Sequence, residues 1–251
     1  MFLHADRSGS GPPIVLVHGF TQTSRCWGPE VEDLALDHEV IRVDAPGHGR
    51  SAEILAGLRT GGRLIADQGG EATYLGYSMG ARFCLHIALT NPELVRGLVL
   101  LGGTAGIEDP EERAARREHD LTTAARIKAD GLPSFLDAWL QQPLFAGLGP
   151  EQSFREERLV NTVDGLMSSL EQAGTGSQDP SWHKLERLEM PVLVLAGAQD
   201  EKFAALAERM ASAIGANATL ALVPDAGHAA HLEQPDAFLS ILRPWLDAHG
   251  L

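Results

Sequence analysis

The segment Thr73-Tyr74-Leu75-Gly76-Tyr77-Ser78-Met79-Gly80-Ala81-Arg82-Phe83-Cys84-Leu85-His86-Ile87-Ala88-Leu89 decides how this chain is read. It passes from a short apolar run, through a Gly-x-Ser-x-Gly turn, into a helix-forming stretch. Glycines two residues either side of Ser78 leave room for backbone that a Cβ would block, so the serine can occupy a strained strand-to-helix turn. The Ser78 hydroxyl then projects above the sheet, at a helix N-terminus whose dipole favours developing negative charge.

A serine hydroxyl is a weak nucleophile or base at neutral pH and needs an adjacent imidazole held in one tautomer by a carboxylate. The chain offers these groups in the order Ser, Asp, His. Asp200 follows the apolar run Pro191-Val192-Leu193-Val194-Leu195, and His228 follows the run Ala218-Thr219-Leu220-Ala221-Leu222-Val223. Each therefore stands where a strand ends, and strand ends in a parallel sheet share one edge. Asp225 lies only three residues before His228 in the same loop, which makes Asp200 the better acid. Gly227 suits a tight turn that presents His228, so His231 is assigned to loop support. His18, beside Gly19, is read as ordering its loop by hydrogen bonding rather than as a base.

Outward from the Ser78 turn, Pro13-Ile14-Val15-Leu16-Val17, Glu39-Val40-Ile41-Arg42-Val43 and Val95-Arg96-Gly97-Leu98-Val99-Leu100-Leu101 complete a set of short β-branched or leucine-rich strands. Helices are expected over about 55–70, despite Gly61-Gly62, after Ser78 until Asn91-Pro92-Glu93, and from Pro235 to His249. Asp44-Ala45-Pro46-Gly47-His48-Gly49-Arg50-Ser51 is turn chemistry in which Asp44 and Ser51 can cap backbone. Between 104 and 188 there is no comparable strand run, while charged helical stretches such as Glu111-Glu112-Arg113-Ala114-Ala115-Arg116-Arg117 appear. The expected fold is α/β: a mostly parallel sheet of buried strands flanked by helices, with 1–103 and 189–251 as the core and 104–188 as an inserted helical cap.

At 251 residues, 44% hydrophobic and 22% charged, the chain suits one large domain with a well-buried core. A net charge of -14 disfavours non-specific binding to nucleic acid or to an anionic membrane surface, so any anionic substrate needs locally placed arginines. Cys26 and Cys84 are too few for a disulfide framework and have no metal-ligand spacing; buried free thiols are expected, with no metal and no cofactor. Met1-Phe2-Leu3-His4-Ala5-Asp6-Arg7 lacks the features of a secretory signal, and no apolar run of about 18 residues occurs, so a cytoplasmic location is expected.

These motifs resemble the α/β-hydrolase superfamily over nearly the whole chain. More narrowly, Gly76 to Gly80 with Arg82, Glu112 to Arg117, Ala138-Trp139-Leu140-Gln141-Gln142-Pro143-Leu144-Phe145, Asp200-Glu201-Lys202-Phe203 and Gly227-His228-Ala229-Ala230-His231 are similar to the 2-succinyl-6-hydroxy-2,4-cyclohexadiene-1-carboxylate synthases. Those are menaquinone-pathway lyases that eliminate pyruvate from a substrate bearing three carboxylates. The resemblance implies Ser78, Asp200 and His228 as the catalytic triad, with the backbone N–H groups of Phe20 and Met79 as the oxyanion hole. It further implies that Tyr77, Arg82, Arg116, Trp139 and Arg158 bind the substrate. Cations at such a site fit a carboxylate-rich small molecule better than a simple ester. The chain departs from the pattern at Ala81, where a second glycine is frequent, at Leu140, where some members carry tyrosine, and around Asn161-Thr162-Val163-Asp164-Gly165, where a gap is needed. A carboxylesterase, thioesterase or lactonase using the same triad through an acyl-enzyme is the alternative. The intact Ser78, Asp200 and His228 set argues against a catalytically dead binding module.

Overall fold

Residues that are apolar at every position must be covered on both faces, and β2 (Pro13–Val17) shows how the fold does this. Ile14 and Leu16 point into one core and Val15 and Val17 into the other, and all four side chains are 0% exposed. The computed structural model describes residues 2–251. Met1, the first residue of the N-terminal stretch considered above, lies outside them.

The sheet has seven strands in the order β1-β3-β2-β4-β5-β6-β7. β3 (Glu39–Val43), β4 (Ala72–Tyr77), β5 (Val95–Leu101), β6 (Val192–Gly197) and β7 (Ala218–Val223) run parallel to β2, where the apolar runs place them. β1 (Ala5–Gly9) is antiparallel to β3, with Ala5 opposite Val43 and Gly9 opposite Glu39. It escapes a sequence reading because Ala-Asp-Arg-Ser-Gly is an edge strand, held by backbone pairing rather than by an apolar face. β7 corrects another expectation. Its leucine-rich run predicts a buried strand, yet it forms the opposite edge, and Leu220 and Leu222 are 40% and 37% exposed.

Helices cover both faces. α2 (Leu58–Gly69), α3 (Met79–Thr90) and α8 (Glu201–Ile214) supply Ile65, Phe83 and Met210 to the core that holds Val15 and Val17. α1 (Glu30–Leu34) and α10 (Pro235–His249) supply Leu34, Phe238 and Leu242 to the core that holds Ile14 and Leu16. The glycine pair in α2 lets the helix lie close on α3, since a Cβ at Gly61 would stand 2.6 Å from Phe83 Cε1.

Between β5 and β6 the chain leaves the sheet and forms only helices and turns: α4 (Pro110–Asp130), α5 (Leu132–Leu140), α6 (Arg155–Arg158) and α7 (Val163–Ala173). α4 starts where Asp109 accepts hydrogen bonds from the N–H groups of Glu111 and Glu112, with Pro110 at the first helical position. Ile127, Phe135, Leu136 and Leu166 make a small third core, against which Phe20 of the loop after β2 and Trp139 pack. The insert is thereby seated over the end of β2. The chain rejoins the main core through Trp182, Leu185 and Leu188.

The junction beneath this insert is tight. A Cβ at Gly80 would stand 1.8 Å from the Val17 carbonyl oxygen, which is backbone and cannot swing away. Gly70, by contrast, has φ of 62° but nothing within 4 Å of a built Cβ. Gly70→Ala is therefore expected to cost about 2 kcal/mol of unfolding free energy, from its φ 62°, ψ -145° backbone alone. Gly80→Ala is expected to cost about 3 kcal/mol or more, or to prevent folding, because backbone must move. Urea unfolding of both variants checks this, and an equal cost would contradict it.

Candidate active site

Ser78 stands between β4 and α3 with φ 53° and ψ -105°, a conformation strained for a residue with a side chain. The flanking glycines are required: a Cβ at Gly76 would come within 2.4 Å of the Gly80 carbonyl carbon. The Ser78 N–H donates to the Leu101 carbonyl at 2.8 Å, which ties the turn to β5.

The three side chains singled out at strand ends meet. His228 Nε2 lies 3.0 Å from Ser78 Oγ, and His228 Nδ1 lies 2.7 Å from Asp200 Oδ2. With Nδ1–H donating to the carboxylate, Nε2 is left to accept the serine proton. Asp200 is itself fixed as the N-cap of α8, where Oδ1 accepts from the Phe203 N–H. The imidazole is packed between the Phe203 ring, with centroids 4.4 Å apart, and Tyr77 at 5.4 Å. Gly102, at φ 60°, makes room on another side, since a Cβ there would stand 3.0 Å from His228 Cε1.

In the loop carrying His228 the positive φ falls at Asp225, at 55°. The loop is clamped by Glu233, whose carboxylate accepts the N–H of Gly227 at 2.7 Å and of Ala229 at 3.0 Å, the two neighbours of His228. Sequence reasoning misses Glu233, whose only signal there is a carboxylate one helical turn beyond the histidine. Asp225 is exposed, and the carboxylate that pairs with the His228 ring is that of Asp200. His231 supports the loop by packing, with its ring against Trp27 and Tyr77 and neither nitrogen hydrogen-bonded.

Neither the Phe20 nor the Met79 N–H has a hydrogen-bond acceptor among the described residues. For Met79 this follows from its place in the first turn of α3. The Phe20 loop is rigid: His18 Nδ1–H donates to the Gly19 carbonyl, and Nε2 accepts the Ala45 N–H at 3.1 Å. Thr21, next to Phe20, has φ 67° and is pinned from α6 and the residues just after it. Its hydroxyl accepts from Arg158 Nη1, and its carbonyl accepts from Asn161 Nδ2 at 2.7 Å.

A cavity of about 280 Å³ opens above Ser78. Its wall includes Phe20, Tyr77, Ser78, Met79, Arg82, Arg116, Trp139, Arg158 and His228, so every residue singled out from the sequence lines it except Asp200, which stands behind His228. Arg82 is buried, and its Nη1 donates to the Ala173 carbonyl at 2.6 Å, bracing α3 to the end of α7. Burial, and then the nearby Arg116 charge, pull its pKa down to about 10, which still leaves a cation at neutral pH. Arg116 pairs with Asp120 at 2.8 Å. Arg158 is 1% exposed, and burial likewise lowers its pKa. Its Nε donates to the Ser153 carbonyl, and it forms no ion pair among the described residues. Trp139 lines the same cavity, and its buried indole N–H has no acceptor among the described residues. Tyr77 is buried beside them, and its phenol pKa is pushed well above the ordinary value by desolvation. Lys202, Ser169 and Gln142 also line the cavity and are not singled out by the sequence.

Among the described residues no group of three or more His, Cys, Asp or Glu side chains could hold a metal ion, and no helix is long and apolar enough to cross a membrane. Cys26 and Cys84 are buried and unpaired.

A strained serine at a strand-to-helix turn, with histidine and aspartate delivered from two further strand ends, defines a class. The alpha/beta hydrolase family profile matches residues 14–241, and the chain belongs to that family. Within it the chain is similar to a Bacillus subtilis protein provisionally named 2-succinyl-6-hydroxy-2,4-cyclohexadiene-1-carboxylate synthase, at 34% identity over 93% of this chain and 89% of that one. It is also similar to the Yersinia pestis protein of that name, at 32% identity over 91% of this chain and 85% of that one. Among solved structures, MenH from S. aureus superposes with a TM-score of 0.91 at 28% identity, covering 99% of both chains. The family resemblance and the α/β fold read from the sequence are thus both borne out.

Burial around the site gives a pH signature. Desolvation first, and neighbouring positive charge after it, hold His18 down at about 4 and His48 and His231 at about 3, from an ordinary 6.5. Such depressed histidines contribute stability that is fully present above pH 6.5 and drains away as pH falls, because only the unfolded chain takes up protons. Glu30 works the other way: burial raises it to about 7 from 4.5, so its protonated form favours the folded state as pH falls. Glu30 offsets one histidine, and between pH 6 and 5 stability is expected to fall by about 2–3 kcal/mol. Urea midpoints at the two pH values check the sign, and constant or rising stability would contradict it.

Proposed function

We propose that this protein is a carbon–oxygen lyase of the 2-succinyl-6-hydroxy-2,4-cyclohexadiene-1-carboxylate synthase kind, releasing pyruvate in menaquinone biosynthesis, and that it works in the cytoplasm on a dissolved carboxylate-bearing substrate. The names of its relatives support this, and so does one observation at the site. Arg82 and Arg158 are both buried in the wall of the Ser78 cavity, and neither has a carboxylate partner among the described residues. A buried cation left unpaired costs several kcal/mol, on the order of 3–5 when a partner is removed, so the cavity is built to receive anions. A simple ester offers none.

In this reading Asp200 holds His228 in the tautomer whose Nε2 takes the Ser78 proton, and Ser78 Oγ is the base that removes a proton from a carbon of the cyclohexene substrate. Negative charge develops on the adjacent oxygen as an enolate. The free N–H groups of Phe20 and Met79 receive it, in a pocket where desolvation strengthens each hydrogen bond. Collapse of the enolate breaks the ring carbon–oxygen bond and expels pyruvate enolate, whose carbon takes up the proton that His228 had accepted, giving pyruvate and restoring the triad. Arg82, Arg116 and Arg158 hold the three carboxylates, with Tyr77 and the Trp139 indole N–H as further donors. Residues 104–188 act as a cap that chooses the substrate, since Arg116, Trp139 and Arg158 all come from it.

Following pyruvate release from the authentic tricarboxylate tests this reading. Ser78→Ala is expected to lower kcat by about 10³-fold, within the usual range for loss of a general base. Arg116→Gln is expected to raise KM about tenfold and to leave kcat within a few-fold, because its hold on a carboxylate is the same in the ground and transition states and so acts on binding. Arg82→Ala is less diagnostic, since it also breaks the brace to Ala173. Rapid, burst-phase cleavage of p-nitrophenyl esters with no pyruvate from the tricarboxylate would instead identify an acyl-transfer enzyme and overturn the lyase assignment.

A further inference from the structure

A second cavity, of about 430 Å³, shares Arg82 as its only wall residue in common with the Ser78 cavity. It lies against the start of α2, the outer side of α3 and the segment that returns from the insert to the core. Four cations line it, Arg59, Arg82, Lys184 and Arg187, against one carboxylate, Asp179. The chain as a whole runs the other way, with 34 Asp and Glu against 20 Lys and Arg, so the balance at this cavity is the reverse of the chain's. Arg59 and Arg187 are exposed and Lys184 is half-buried, and none of the three enters an ion pair or a side-chain hydrogen bond among the described residues. Arg82, 7% exposed, commits only Nη1 to protein acceptors, Ala173 O and Gln178 Oε1, leaving Nε and Nη2 without partners. His86 on the same wall feels this field: burial first, and then Lys184 and Arg59, hold its imidazole below the ordinary value.

Like charges gathered around one cavity repel, and the repulsion is relieved by an anion that touches several of them at once. Guanidinium forks match the paired oxygens of a phosphate, and a lysine adds a mobile point charge. The volume falls in the range of small-molecule sites, about 300–1,000 Å³, so more than a lone halide fits. We propose that this cavity is a binding site for a small phosphate-bearing molecule, separate from the Ser78 cavity, with Arg59, Arg82, Lys184 and Arg187 as the anion-binding groups. The proposal concerns binding alone and stands whichever reaction Ser78 performs.

Pyrophosphate is the probe. It is titrated into the full-length protein at low ionic strength while the His86 ring resonances are followed by NMR, with His86→Gln supplying the assignment. A saturable shift of His86 is expected, together with a rise in its pKa, because a bound anion favours the imidazolium. Lys184→Gln combined with Arg187→Gln, both away from the core, is expected to weaken the affinity about tenfold or more. Arg116→Gln, which touches only the Ser78 cavity, is expected to change it less than about twofold. No saturable shift at His86 would overturn the proposal. So would an affinity that survives the Lys184 and Arg187 changes but falls with Arg116→Gln, since the anion would then be in the Ser78 cavity.

Discussion

The structure depends on one strained backbone turn. Ser78 at φ 53° is a conformation that costs about 1–3 kcal/mol, and it persists because its surroundings over-determine it. The Ser78 N–H is held by β5, Gly76 and Gly80 let the two limbs of the turn touch, and α3 runs against the Val17 carbonyl with no space for a side chain. Relaxing the turn would swing the Ser78 hydroxyl away from His228 Nε2, now 3.0 Å distant, and take the Met79 N–H out of the cavity. Sheet, helix and hydrogen bond thus share one constraint. The same turn supplies the reacting oxygen and half of the proposed charge-stabilising pair.

Electrostatics then separates this site from a general-purpose esterase. The chain is acidic, at -14, yet its central cavity is lined by the guanidinium groups of Arg82, Arg116 and Arg158. Arg116 pairs with Asp120 through Nε alone, whereas Arg82 and Arg158 lean on backbone carbonyls, which solvate a cation without cancelling its charge. Arg158 also projects its field onto His18, His48 and His231, adding to desolvation in keeping those rings neutral around the turn. Its Nη1 pins Thr21, so a cation in the cavity wall also sets the loop carrying the Phe20 N–H. Binding and charge stabilisation are mechanically linked there.

What is legible in the sequence follows from which interactions are local. Ser78, Asp200 and His228 can be found because each stands where an apolar run breaks into loop chemistry, and parallel strands deliver all such breaks to one edge. β1 is invisible because pairing, not an apolar pattern, defines it. β7 reads as buried because leucine content does not say which strand ends a sheet. The Glu233 clamp on the His228 loop depends on a short helical turn whose geometry no residue pattern announces. Arg82 is legible from its place one helical turn after Ser78, whereas Arg116, Trp139 and Arg158 come from resemblance. That Arg158 is buried, unpaired and bound to the loop of Phe20 is a long-range fact, with Thr21 lying 137 residues away.

In the proposed reaction Ser78 acts as a base relayed through His228 and never carries a piece of substrate. The most direct measurement is the intact mass of the protein, acid-quenched during steady-state pyruvate release from the tricarboxylate. The expected result is the unmodified chain at every time point while pyruvate accumulates. A substrate-derived mass increment localised to Ser78, formed and lost at the turnover rate, would contradict the claim and make the serine a nucleophile.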